Sequence, residues 1–175
     1  MPDLITDFYR QNEWANLTLI DVCRGLSDEQ LDAAAPGTYG SIRDTLRHIV
    51  GSETGYAFRR GDPDNERMDS DEGWPGFDRL AELVHATAAA ATRQALGSLS
   101  EPITVDPDAP SQVDPAVILT QMVHHSTDHR SQINTILTTL GIEPPDLSSW
   151  SWGLADGRVT CGLCGSKEHY GEDHS

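Results

Sequence analysis

The sequence has no long apolar run and few cysteines, and each shortage excludes a class of protein. Its 175 residues contain no apolar stretch near the roughly 18 residues that a membrane span requires. The opening, MPDLITDFYRQNEW, lacks a basic segment followed by an apolar one, so we expect no secretory signal and a cytoplasmic location. The 3 cysteines are an odd number, which argues against a secreted disulfide framework and favours a reducing compartment.

Positive charge is also scarce. The chain carries 12 Lys and Arg residues against 28 Asp and Glu, which gives a formal net charge of −16. Such an average surface repels the phosphate backbone of nucleic acids and anionic membranes. We therefore expect neither among the partners, and we interpret the acidity itself as a solvated face.

Convincing strands are missing, whereas helical periodicity recurs along the chain. Apolar residues step by three or four positions through residues 3–24, 41–60, 77–99 and 115–140, which predicts four amphipathic helices. Helices of this length predict an all-α fold, a four-helix bundle over residues 1–147 that buries a core of its own.

Local signals mark where the predicted helices begin. Ser27 and Gln30 form a capping-box pattern that predicts a short helical turn after the first helix. Ser41 is placed to cap the second helix, and Pro115 is placed at the first position of the fourth. Gln11 and Asn12 interrupt the apolar stripe of the first helix.

Two longer connections separate these helices. Residues 61–76 are acidic and rich in Asp, Gly and Pro, and their length predicts a lid over a site or a subunit contact. Residues 101–114 predict a crossover loop with a short extended piece. Trp74, Trp150 and Trp152 lie in loops or beyond the last long helix, where a monomer offers little cover, so we expect a homodimer.

The fourth helix concentrates histidines. His125 and His129 are four residues apart, so they lie on one helix face, where two imidazoles can reach one metal ion. The apolar stripe passes through both, which predicts that they point into the core. The alternative is two core histidines with ordinary hydrogen bonds. His124 lies about 100° around the helix, as a surface or helix-contact residue. Asp128 is also off the ligand face, as a surface carboxylate or as one that supports a ligand.

His48 flanks the apolar stripe of the second helix. Gly51, Ser52 and Gly55 follow it, and small residues allow close approach of a neighbouring helix or a ligand. A lone histidine beside an apolar face is more often structural than a metal ligand. The residues alone leave its role open.

The segment SIRDTLRH, which ends at His48, and the segment HSTDHRSQ, which begins at His125, resemble the DinB-like (YfiT-related) metal-binding bundles. The resemblance covers residues 1–147. It implies a four-helix bundle in which His48, His125 and His129 bind one divalent metal. The commoner ending of the second motif is His-Arg-Gly-Gln, and Ser131 here takes the place of the glycine, a small-for-small change that leaves the ligands intact.

The resemblance also implies an activity. Similar proteins are enzymes that use a low-molecular-weight thiol, and many relatives have no assigned reaction. Three imidazoles suit zinc or nickel and leave an open coordination position, as catalytic sites do. We therefore expect a metal-dependent thiol S-transferase, hydrolase or isomerase acting on a small electrophile. The alternative is a non-catalytic, oligomerising bundle with a structural metal.

The extension over residues 148–175 carries a second pattern. Its ligand types fall at the intervals Cys-x2-Cys-x4-His-x4-His, which match a zinc knuckle and predict a second, structural zinc. The residues concerned are Cys161, Cys164, His169 and His174. The alternative is a disordered acidic end with incidental cysteines.

Overall fold

The computed structural model describes residues 3–59, 66–68, 73–97, 102–104, 111–160, 162 and 165. Within these ranges the helices are α1 (Leu4–Arg24), α2 (Asp28–Leu31), α3 (Ile42–Arg59), α4 (Phe77–Leu96), α5 (Pro115–Thr139) and α6 (Ser149–Ala155). Two short strands, β1 (Ile103–Thr104) and β2 (Gln112–Val113), pair antiparallel. The four long helices confirm the predicted all-α bundle.

The predicted helix starts are confirmed by their capping contacts. The Ser27 hydroxyl accepts from the backbone N–H of Gln30 at 3.2 Å, and Gln30 Oε1 accepts from the N–H of Ser27 at 2.9 Å. Before α3, Ser41 Oγ accepts from the N–H of Asp44 at 3.1 Å. Pro115 is the first residue of α5, where its missing N–H costs no helical hydrogen bond.

The core lies between the long helices, with α1 packed mainly on α4, and α3 packed on α4 and α5. Burying a leucine or isoleucine side chain contributes about 1.5–3 kcal/mol relative to leaving it exposed. The largest fully buried side chains of these helices are Leu19, Ile20, Ile42, Leu46, Ile49, Val50, Leu80, Val84, Met122, Ile133, Ile136 and Leu137. This packing fixes the register of α3 against α5, on which the histidines lie.

The chain beyond α5 returns to α1 and adds a short helix that the sequence did not predict. Ser148 caps α6, and the α6 residues pack on α1. Past α6, the Arg158 guanidinium donates to both carboxylate oxygens of Asp7, at 2.6 and 2.9 Å. This pairing holds the pKa of the Asp7 carboxyl below its usual range. Residues 149–158 are thus part of the folded body.

The tryptophans behind the homodimer prediction make contacts within the chain. The Trp74 ring packs edge-on against Phe77 with centroids 5.1 Å apart, and Arg43 lies 5.0 Å above it. Trp152 lies under the Arg158 guanidinium at 5.0 Å. Trp150 is 59 % exposed. The homodimer stays a prediction.

Most of the predicted lid lies outside the described residues. Of the segment 61–76, the structure describes 66–68 and 73–76. Met68 is buried, and its backbone N–H donates to Thr54 Oγ1 on α3 at 3.1 Å. Among the described helices, none combines the length and apolar character that a bilayer crossing needs.

Candidate metal centre

The structure brings His48 of α3 together with His125 and His129 of α5. One ring nitrogen from each lies within 4.8 Å of those of the other two. The ring centroids are 4.5 to 4.8 Å apart. The helical spacing of His125 and His129 and the resemblance that added His48 therefore point to one place in the fold.

The approach of His48 to His125 is too close for two N–H groups. Their Nε2 atoms are 3.0 Å apart, so at most one of the two can carry a proton in the space between them. At least one Nε2 lone pair therefore points into the centre of the cluster. This arrangement suits a shared cation.

Gln132 fixes the tautomer of His129. Its Oε1 accepts from the backbone N–H of Tyr39 at 2.9 Å, which identifies this side-chain atom as the oxygen. The same oxygen lies 3.0 Å from His129 Nδ1, so Nδ1 must carry the proton that it donates. His129 Nε2 then keeps its lone pair, as a metal-binding imidazole requires.

Aromatic rings enclose the cluster on two sides. The Tyr39 ring stacks on His48, with centroids 3.9 Å apart and planes 16° apart. Tyr56 lies edge-on to His125 at 6.0 Å. These contacts fix the imidazole planes and cover parts of the rings that water would otherwise reach.

Burial favours the neutral forms of His48 and His125 by lowering the pKa of each. It lowers the pKa of His125 to about 4, with smaller contributions from repulsion by His129 and His48. Burial, followed by repulsion from His129, also lowers the pKa of His48. Neutral imidazoles offer the lone pairs that a metal needs. The buried Nδ1 of His125 has no hydrogen-bond partner among the described residues.

These features fit a divalent metal. The donor set is three imidazole nitrogens, one of them with its tautomer fixed and two too close together to both be protonated. Within the described part of the chain, no cysteine, aspartate or glutamate joins the group. His48, His125 and His129 could therefore hold one ion with an open coordination position.

The histidines lie at the edge of the core rather than inside it, so the predicted orientation is only partly right. Both His125 and His129 are half-buried, while Met122 and Ile133 on the same stripe are buried. A pocket lined by Gly51, Ser52 and Gly55 of α3 opens beside them at His48. A core position would have denied the site access to a ligand.

A polar network that the sequence did not predict lies beside the cluster. Glu53 Oε1 accepts from Asn12 Nδ2 at 2.7 Å, from Asn16 Nδ2 at 2.9 Å and from Ser126 Oγ at 2.5 Å. Glu53, Asn12 and Asn16 are each 3 % exposed. The apparent interruption of the α1 stripe at Asn12 is therefore a buried contact to α3.

Arg130 supplies the opposite charge. Its NH1 donates to Asn12 Oδ1 at 2.7 Å and to Asn16 Oδ1 at 2.6 Å, and its NH2 donates to Thr127 Oγ1 at 2.9 Å. Burial lowers the pKa of the Arg130 guanidinium, and the charge of Glu53 opposes that shift. The two asparagines thus bridge a buried cation and a buried anion, and join α1, α3 and α5 next to the histidines.

The neighbours of the ligands on α5 face outward. His124 Nδ1 lies 3.5 Å from Asp128 Oδ2, with side chains 71 % and 62 % exposed. His124 is therefore a surface residue, as predicted. Of its two predicted alternatives, Asp128 takes the surface position, with its carboxylate beside the His124 ring.

A pocket of about 550 Å³ opens on the cluster at His48. Tyr39 and Tyr56 also line it, and its lining runs along α3 as far as Arg59. Gly55 lies in this lining, and a Cβ built on it would meet nothing within 4 Å. The pocket has room for a small molecule beside the three imidazoles.

The predicted second zinc site falls on residues that the structure does not describe. Cys161, Cys164, His169 and His174 all lie outside the described residues. The zinc knuckle stays a prediction.

The structure defines a helical bundle in which three histidines from two facing helices could hold a metal ion. The DinB family model matches residues 1–151, and the chain belongs to the DinB family. It is similar in fold to a DinB-like protein from Bacillus cereus, with a TM-score of 0.59 and 18 % identity over 78 % of this chain and 91 % of that one. No curated protein matches the chain.

Proposed function

We propose that the protein is a metal-dependent enzyme that acts on a small electrophile, with a low-molecular-weight thiol as co-substrate or with water. The observation that carries this proposal is the convergence of three imidazole nitrogens within 4.8 Å beside a pocket. A closed structural site would surround its ion with four protein ligands. Here the described residues supply three, and His48 faces the pocket.

The ligand type favours zinc or nickel, since both accept imidazole nitrogen. A divalent ion held here would supply Lewis acidity, which makes a thiol or water a better nucleophile at neutral pH. The protein's own residues orient the imidazoles and bind the substrate. Gln132 keeps the proton on His129 Nδ1, Tyr39 covers one face of His48, and the pocket holds the electrophile beside them.

In a thiol transfer, the bond that forms joins the thiol sulfur to the electrophilic carbon. The bond that breaks releases the leaving group with its electron pair, and the thiol proton passes to solvent. In hydrolysis, water takes the place of the thiol. We also propose that the protein works in the cytoplasm as a homodimer, as expected from the sequence.

The experiment is a rate measurement on protein loaded with zinc or nickel. One assay follows the reaction of N-acetylcysteine with 1-chloro-2,4-dinitrobenzene, and another follows hydrolysis of p-nitrophenyl acetate. The expected result is a rate above background that disappears with EDTA and in the His125→Ala variant. Equal rates for the loaded wild type and His125→Ala in both assays would favour the alternative, a non-catalytic bundle with a structural ion.

A further inference from the structure

The described lining of the pocket carries a charge opposite to that of the chain. The formal net charge is −16, yet the described pocket lining contains Arg47, Arg59 and Arg67 against one carboxylate, Asp44. That carboxylate already accepts from Ser41 Oγ at 2.8 Å. The described lining is thus locally positive on an acidic protein.

Arg59 and Arg67 differ from the arginines elsewhere on the surface. In a chain with this excess of carboxylates, most described surface arginines form ion pairs, for instance Arg24 with Asp78 and Arg158 with Asp7. Arg59 and Arg67 form none within the part of the chain that the structure describes. Cations that face a pocket without a carboxylate partner favour an anionic ligand.

The segment that carries Arg67 is held on both sides. Glu66 forms an ion pair with Arg79 of α4, and Met68 donates its backbone N–H to Thr54 of α3 at 3.1 Å. The Met68 side chain also lies 3.0 Å from where a Cβ on Gly51 would be. These contacts keep Arg67 at the pocket wall, which lowers the entropic cost of using it as a binding group.

Arg59 and His48 lie along one helix, α3. Arg59 follows His48 by three turns of α3, a rise of about 16 Å between their Cα atoms at 1.5 Å per residue. Both line the same pocket. Because an arginine side chain reaches several ångströms back towards its target, one small molecule can contact Arg59 and still extend to His48.

We propose that the pocket selects a small molecule with carboxylate or phosphate groups, which pair with Arg59 and Arg67 while its reacting end faces His48. The placement of the reacting end at His48 rests on the proposed function. The inference of an anion site depends only on the arginines and does not require that the protein catalyses a reaction. Carboxylate and phosphate share the chemistry that a guanidinium recognises.

Isothermal titration of the metal-loaded full chain with glutarate and, separately, with inorganic phosphate tests the proposal. Arg59→Gln and Arg67→Gln should each raise the Kd of the tighter-binding probe about fivefold or more, as expected for a lost hydrogen bond between charged groups. Added NaCl should weaken the binding. The matched control Arg24→Gln, an arginine outside the pocket, should leave the Kd unchanged, and the tighter-binding probe identifies the anionic group.

Two results would overturn the anion site. One is that neither probe binds. The other is a Kd that is the same in Arg59→Gln and Arg67→Gln as in the wild type. If binding were then lost in His125→Ala, the anion would be binding the metal rather than the arginines. Reaction rates measured on the same samples, in the two assays described above, distinguish this proposal from the proposed function. Arginine-dependent binding without turnover would sustain the anion site alone, and turnover without probe binding would sustain the reaction alone.

Discussion

The Nε2 atoms of His48 and His125 lie 3.0 Å apart although 77 positions separate the two residues in the chain. Their helices must therefore keep a fixed register without help from sequence proximity. The hydrogen bond from Ser126 to Glu53 joins the same two helices, since Ser126 follows His125 and Glu53 lies beyond His48 on α3. The buried polar network and the histidine cluster are thus neighbouring parts of one helix interface.

The network should contribute strongly to stability. Glu53→Gln leaves the buried Arg130 without its opposite charge, and breaking a buried pair in this way costs about 3–5 kcal/mol of unfolding free energy. Arg130→Met should have a similar effect. The double variant should lose less than the sum of the two single losses, because it leaves no uncompensated charge.

Urea unfolding of the two single variants and the double variant measures this coupling. Arg24→Gln, which removes a surface pair with Asp78, is the control and should change stability by less than about 1 kcal/mol. Additive losses at Glu53 and Arg130 would show that the two charges do not depend on each other.

Gln132 should matter for metal affinity. Gln132→Leu removes the oxygen to which His129 Nδ1 donates, so the imidazole is no longer held in the tautomer that exposes Nε2. Such supporting contacts typically change metal affinity by about 10- to 100-fold. Competition with a chromophoric chelator measures the effect, with Ser131→Ala on the same turn as the control. Equal affinities in the two variants would rule out this role.

Two glycines of α3 should respond differently to alanine. A Cβ on Gly55 meets nothing within 4 Å, whereas one on Gly51 lies 3.0 Å from Met68 Cε. Gly55→Ala should therefore raise the unfolding free energy by about 0.5–1 kcal/mol through helix propensity. Gly51→Ala should gain less, because Met68 must move. Thermal or urea unfolding of both variants measures the two changes in unfolding free energy. An equal increase in both would show that Met68 does not lie against Gly51.

The Cys23 thiol should not react in the native protein. It is fully buried, and burial raises its pKa to about 12, so almost no thiolate forms near neutral pH. In the Cys161→Ser, Cys164→Ser background, Cys23 is the remaining thiol. Ellman's reagent at pH 8 should label it only after denaturation. Rapid labelling of the native protein would show that the α1 core is open.

The fold and two of the three clustered histidines could be predicted from local patterns. Helical periodicity gave the bundle, and the four-residue spacing gave His125 and His129, because both depend on positions close in sequence. The role of His48 could be predicted only from the family resemblance, because its separation from α5 along the chain gives no local sign of the contact. Asn12 was read as an interruption because a polar residue on an apolar stripe does not show its partner, which here is Glu53 on another helix.

The arginine-lined pocket was hidden for the same reason. Arg59 and Arg67 occur within or next to an acidic stretch, so the net charge of that stretch does not reveal them. Only the path of residues 66–68 along α3 places them together. Sequence composition describes the mean surface of a protein, whereas a binding site depends on a local departure from it.

The central claim is that His48, His125 and His129 hold one divalent ion. Elemental analysis of the metal-to-chain ratio tests it most directly, in the Cys161→Ser, Cys164→Ser background so that the predicted tail site does not contribute. We predict about one ion per chain, its loss in His48→Ala, His125→Ala and His129→Ala, and its retention in His124→Ala, since three protein ligands are the minimum of a catalytic site. Full metal content in the three ligand variants, or equal loss in His124→Ala, would contradict the assignment.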